Sequence, residues 1–233
     1  MIKKISLKTI KLIKYYKFIN HNLIYNNKAI NRYKKDNFEL SVDKADNLER
    51  LKESILNIKN CSLKSSATNM VFCDGNPKSG IMILGEAPGS NEDQEGLPFV
   101  GRAGTLLDKM LASINLNRKR VYISNIINYR PPENRKPTDD EINRYLPFVK
   151  KHIEIISPKI LILLGSTAMN ALIDSDVVIS KVRGKWIEKE YGQCKTSVIV
   201  TFHPAFLMRQ PTQKKLAWAD LKMIRDKRAK LKI

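Results

Sequence analysis

Cysteine is scarce in this chain of 233 residues, with Cys61, Cys73 and Cys194 only. The number is odd and no two are separated by two residues, so neither a disulfide framework nor a C-x-x-C site can be built. A reducing, intracellular and cytoplasmic setting is therefore expected. No run of about 18 apolar residues occurs, so no membrane-spanning helix and no membrane partner are expected. The G-K-S/T of a phosphate-binding P-loop is missing, as is the G-x-G-x-x-G of a dinucleotide fold, which sets aside the two common nucleotide loops. Acidic residues are absent from residues 1–35, which hold ten Lys/Arg among scattered apolar residues. Lysines interrupt every apolar core there, which argues against a secretory signal. The preference for Lys over Arg argues against an organelle presequence. Residues 1–45 read as a basic, poorly ordered N-terminal extension; an amphipathic helix or a nucleic-acid arm are the open alternatives.

What the chain has in excess is positive charge, +19 with a pI near 9.8. The excess is not confined to the extension, because residues 51–233 still carry 30 Lys/Arg against 18 Asp/Glu. Such a balance favours a polyanionic partner, nucleic acid first. A Lys-, Ile- and Asn-rich composition accounts for part of it. The length suits one domain with a sizeable core plus an appendage. The pattern changes at Asp46, where "DNLERLKESILNI" places Leu48, Leu51, Ile55 and Leu56 at helical spacing. The domain is assigned to residues 46–233, and a monomer is expected.

Four short apolar runs follow: Ile81–Leu84, Val121–Ser124, Ile160–Leu164 and Ser197–Phe202. They read as buried strands. Helical segments alternate with them, near 102–114, over 138–156 with Thr138 and Glu141 as a capping box, from Ser166 after Gly165, and over 214–230. Alternation predicts an α/β fold, a three-layer α/β/α sandwich around a central four-stranded, mainly parallel sheet. Ligands in such sheets bind beyond the carboxyl ends of the strands, so the loops after Leu84, Ser124, Leu164 and Phe202 converge on one edge.

Those loops hold the residues with chemistry. Gly85-Glu86-Ala87-Pro88-Gly89 lets backbone approach a ligand closely. Glu92 and Asp93 follow, then Pro98-Phe99-Val100-Gly101, in which Phe99 is either core or an aromatic plate for a flat ligand. Asn125 at a strand end carries the donor and acceptor that suit a base edge, or simply forms a turn. The Arg130–Arg135 segment is rigid, basic and suited to phosphate. His203 ends a strand just before Pro204. Leu207 and Met208 beside Arg209 form an apolar wedge of the kind that fills a duplex after a base is extruded.

Together the segments "GNPKSGIMILGEAPG", "EDQEGLPFVGRAGTLLD", "VYISNIINYRPPENRKP", "VRGKW" and "TFHPAFLMRQP" resemble the family 4 uracil-DNA glycosylases, the branch that usually carries an iron–sulfur cluster. The resemblance spans roughly residues 48–230 and leaves residues 1–45 uncovered. It implies a glycosylase that hydrolyses the N-glycosidic bond of uracil in DNA, releasing uracil and leaving an abasic site for base excision repair. It implies that Phe99 stacks on the extruded uracil, that Asn125 binds its edge, that His203 contacts O2, and that Glu86 and Ala87 lie beside sugar and base. Where the best-known uracil glycosylases have an aspartate, this chain has Ala87, so Glu92 is assigned to water handling and Glu86 to site structure. Arg102, Arg130, Arg135, Arg183, Lys185 and Arg209 are the expected phosphate contacts. With no lysine at an obvious pocket position, the enzyme is expected to be monofunctional. A non-catalytic DNA- or base-binding protein on a decayed scaffold, and a glycosylase for other deaminated bases, remain the alternatives.

One departure matters. The family's cluster hangs on four cysteines, and the matching positions here are Ile58, Cys61, Tyr129 and Tyr145. One thiolate does not hold a cluster that takes four, so no iron–sulfur cofactor and no metal are expected.

Overall fold

The computed structural model describes residues 44–174 and 177–233. The expectations for residues 1–43 lie outside the described residues. The structure begins in helix α1 (Lys44–Leu56), two residues ahead of the Asp46 signal. Leu48, Leu51 and Ile55 form its buried stripe.

The four expected strands are present as β2 (Ile81–Gly85), β3 (Tyr122–Asn125), β4 (Ile160–Leu164) and β6 (Cys194–Thr201). They pair parallel in the order β3-β2-β4-β6. The sheet has two more strands than the expected four. β1 (Asp74–Gly75) pairs antiparallel outside β3, and β5 (Trp186–Tyr191) pairs antiparallel outside β6. Both escaped an apolar-run search for a physical reason. β1 is two residues long, and β5 (WIEKEY) is an edge strand of mixed exposure with no continuous apolar run.

Successive side chains of the central strands point to opposite faces. Met82 and Leu84 enter one core with α1 and α5 (Asp139–Ile156); Ile81 and Ile83 enter a second core with α4 (Arg102–Ala112) and α9 (Lys214–Leu231). That makes the three layers. The remaining α-helices among the described residues are short: α2 (Ser62–Ser66), α3 (Ser90–Glu95), α6 (Ser166–Leu172), α7 (Ile179–Val182) and α8 (Pro204–Arg209). Helix α5 is capped as expected, with Thr138 Oγ1 accepting from Glu141 N–H at 3.2 Å and Glu141 accepting from Thr138 N–H at 2.8 Å.

Register decides where the loops emerge. Gly85 is level with Asn125, and Leu164 with Thr201. The four parallel strands therefore end in one row.

Candidate active site

A cleft of about 670 Å³ opens at that row. Glu86, Ala87, Phe99, Asn125, Gly165 and His203 all line it, so the loops beyond all four strands contribute. Gly85 is the hub. A Cβ there would meet Asn125 Oδ1 and the edge of the Phe99 ring, so only glycine lets these two side chains close over the strand end. Gly165 has a similar role: its φ is +93°, and a Cβ would lie 3.1 Å from the Cβ of His203.

Phe99 is buried, and its ring centroid lies 5.6 Å from that of His203 at 30°. Asn125 is buried at the end of β3. His203 caps α8: its Nδ1 accepts from Ala205 N–H at 3.2 Å. Burial first, and then the positive charge of Arg209, push its pKa down to about 4, against an opposing pull from Glu92. The ring is therefore neutral near pH 7. With Nδ1 accepting, its one proton sits on Nε2.

The two carboxylates have different surroundings. Glu92 is held at both oxygens, by Gly101 N–H at 2.9 Å and Gly89 N–H at 3.1 Å. It thereby ties the Gly85–Gly89 loop to the Phe99 loop. Glu86 accepts from the hydroxyl of Thr167 through Oε2.

The basic residues divide in the same way. Arg102, Lys185 and Arg209 are exposed. Arg135 reaches the cleft while paired with Glu141 at 2.7 Å, and Arg130 donates to Asn134 at 2.8 Å. Arg183 differs from its expected role as a phosphate contact. Its guanidinium is paired with buried Asp220, donates to Leu216 O at 2.6 Å and lies 5.2 Å from the Phe202 ring centroid, so it is spent inside the protein. Leu207 likewise does not stand out as a wedge: it is 1% exposed, because α8 turns its apolar stripe into the core. Phe206, one residue earlier, lines the cleft instead.

Sequence reasoning did not single out Thr167, Phe206, Asn134 or Lys136, all near this cleft or bonded into it. Thr167 had a usable signal, two residues past the Gly165 turn on the expected ligand edge. Lys136 is an exposed lysine on the rim, where none had been expected.

The positions aligned with the family's cluster ligands form a separate, packed region. Cys61, Tyr129 and Tyr145 are buried, and Ile58 packs against the same core. Cys61 Sγ lies 3.3 Å from Tyr145 Oη. Tyr129 Oη is buried without a hydrogen-bond partner. Cys73 is half-buried against the same core. The donor set here is one thiol and two phenols, and it does not fit an iron–sulfur cluster.

The profile of the uracil DNA glycosylase superfamily matches residues 72–222. The chain belongs to this superfamily. It is 41% identical over 186 residues to the type-4 uracil-DNA glycosylase of Sulfurisphaera tokodaii, covering 78% of this chain and 84% of that protein. It is 38% identical over 183 residues to that of Archaeoglobus fulgidus, covering 77% and 92%. With the Thermotoga maritima type-4 enzyme the figures are 41% over 163 residues, 70% and 83%. These relatives make it a member of the type-4 uracil-DNA glycosylase family. No described helix is long and apolar enough to cross a membrane.

Proposed function

We propose that this type-4 family member is a DNA repair enzyme that removes uracil from DNA by hydrolysing the N-glycosidic bond, as a monofunctional glycosylase. The observation that carries the reading is the convergence of Gly85-Glu86-Ala87, Phe99, Asn125 and His203 on one cleft. A base inside a duplex is out of reach, so uracil must leave the stack to enter it. Phe99 then offers a ring face, and Asn125 a donor and an acceptor for the pyrimidine edge. Ala87 leaves space beside the sugar.

As the glycosidic bond lengthens, positive charge grows on the sugar and negative charge on uracil. A neutral His203 with its proton on Nε2 donates to O2 more strongly as that charge develops, and this lowers the barrier. The neutral state matters, because it places the donor without adding a proton to be lost at pH 7. Water handling falls to Glu86 rather than Glu92. Both oxygens of Glu92 are engaged by backbone N–H groups, whereas Oε1 of Glu86 accepts no hydrogen bond from the described residues. Glu92 braces the two loops. Arg102, Arg130, Arg135, Lys185 and Arg209 supply sequence-independent phosphate contacts whose affinity falls with salt.

The same reading holds that the enzyme works without an iron–sulfur cluster, on the donor set at Cys61, Tyr129 and Tyr145. The test is release of uracil from a labelled single-stranded oligonucleotide with one dU. Wild type is expected to release the base and leave a strand that breaks only after alkali. His203→Ala is expected to be much slower. No release by a folded, DNA-binding wild type would overturn the assignment. Strand scission before alkali, with borohydride trapping at Lys136, would overturn the monofunctional part.

A further inference from the structure

Phe99 sits in a backbone conformation that its own side chain disfavours. Its φ is +56°, in the left-handed region where a bulky residue is an outlier. Such a conformation persists only when its surroundings over-determine it, and it recurs at binding sites. Two features fix it here. Gly104, in the first turn of α4, leaves room for the Phe99 carbonyl, with which a Cβ would collide. On the other side stands Arg118, in the short turn that precedes β3.

The guanidinium of Arg118 donates to two consecutive carbonyls, Pro98 O at 3.0 Å and Phe99 O. It is itself braced by Asp74 at 2.7 Å and Asp108 at 2.9 Å. Four groups thus hold one planar fork, an arrangement that a lysine ammonium does not reproduce. The two carboxylates also neutralise its charge, so Arg118 is not a free cation for phosphate.

We propose that Arg118 is the positioning residue of the stacking ring: its fork on the Pro98 and Phe99 carbonyls holds Phe99 in its left-handed conformation, with the ring against Gly85 and beside His203. This rests on the reading of Phe99 as the plate for uracil. Arg118 touches neither base nor sugar and acts through Phe99 alone. Asp74 and Asp108 act one step further out, by orienting the guanidinium.

The test is a double-mutant cycle on the full chain. Single-turnover uracil release is followed over a range of enzyme concentrations for wild type, Phe99→Ala, Arg118→Ala, Arg118→Lys and the Phe99→Ala/Arg118→Ala double variant. Loss of a base–aromatic stack corresponds to a rate loss of about 5- to 100-fold for Phe99→Ala. Arg118→Ala and Arg118→Lys are expected to lose about tenfold in maximal rate, with the enzyme concentration for half-maximal rate nearly unchanged. In the Phe99→Ala background, Arg118→Ala should change the rate by less than about twofold, because the ring it positions is gone. Equal losses in both backgrounds, or full activity in Arg118→Lys, would overturn the inference. Full activity in Phe99→Ala would instead remove the stacking reading, and this inference with it. Should Arg118→Ala not fold, Asp108→Asn repeats the cycle more gently, with an expected loss of about two- to fivefold that vanishes without Phe99. A loss that persists there would count against the proposal.

Discussion

The cleft and the Cys61 region are both built from positions where the chain can be compared with its family, and they tolerate change differently. In the cleft, Glu86, Phe99, Asn125 and His203 lie together, and each has a constraining neighbour: Thr167, Arg118, Gly85 and Ala205 respectively. In the Cys61 region, the positions that the resemblance matches to cluster thiols hold Ile58, Tyr129 and Tyr145, which pack into or against the core. The lesson is about what each region requires. A core accepts side chains of about the right volume and apolar character. A reaction centre requires particular atoms at particular distances. On the proposed cluster-free reading, the second region keeps its packing without the chemistry, whereas the first cannot.

Mutation of each region in turn sharpens that contrast. The largest expected effect is on rate, in the cleft. His203→Ala should lower single-turnover uracil release by about 10²–10³-fold, the usual loss for a donor aimed at developing charge. Its melting temperature should remain close to wild type, as calorimetry would check. The converse is expected at Tyr145, which is fully buried. Tyr145→Ala should cost about 3–5 kcal/mol of stability in urea unfolding, with the rate per folded molecule unchanged. A Tyr145→Ala enzyme that is stable but slow would erase the distinction between the two regions.

Acid acts on the core before the chemistry. His152 is buried, stacked on Phe72 at 4.8 Å and bonded to Tyr122 Oη at 2.7 Å, and burial pushes its pKa down from 6.5 to about 3. Between those values the unfolded chain binds a proton that the folded protein refuses. Stability should therefore fall as pH drops from about 6.5 toward 3, by up to about 1.4 kcal/mol per pH unit for this one group. Urea midpoints at pH 7, 6 and 5 would show it, and His152→Phe should flatten the slope. His203, held down to about 4, adds to the same trend between about pH 6.5 and 4.

The smallest expected effect is at Tyr129. Its Oη is buried without a partner, so Tyr129→Phe removes a desolvated hydroxyl and should leave stability unchanged or raise it by up to about 1 kcal/mol. A clear destabilisation would mean that the hydroxyl has a water or ion to hold. Iron analysis of the purified chain bears on the same point: sub-stoichiometric iron and unchanged activity after chelation are expected, and stoichiometric iron would refute the cluster-free reading.

The sequence by itself determined the four central strands, their parallel pairing and the edge on which ligands bind, because continuous apolar runs alternating with amphipathic helices admit few other packings. It also named the loop residues, since Gly85, Asn125 and His203 each follow or end a strand. It did not disclose β1 and β5, which are too short or too mixed in exposure to stand out. Nor did it tell Arg183 from Arg209: two arginines look alike until Asp220, 37 residues away, takes one of them inside. The burial of Leu207 beside a cleft-lining Phe206 depends on how α8 is rotated against the sheet, which its six residues do not fix. The split between Glu92 and Glu86, and the grip of Arg118 on Phe99, arise from contacts between separate segments. Those contacts exist only once register and packing have brought distant backbone groups within hydrogen-bond reach, and so only the tertiary structure decided them.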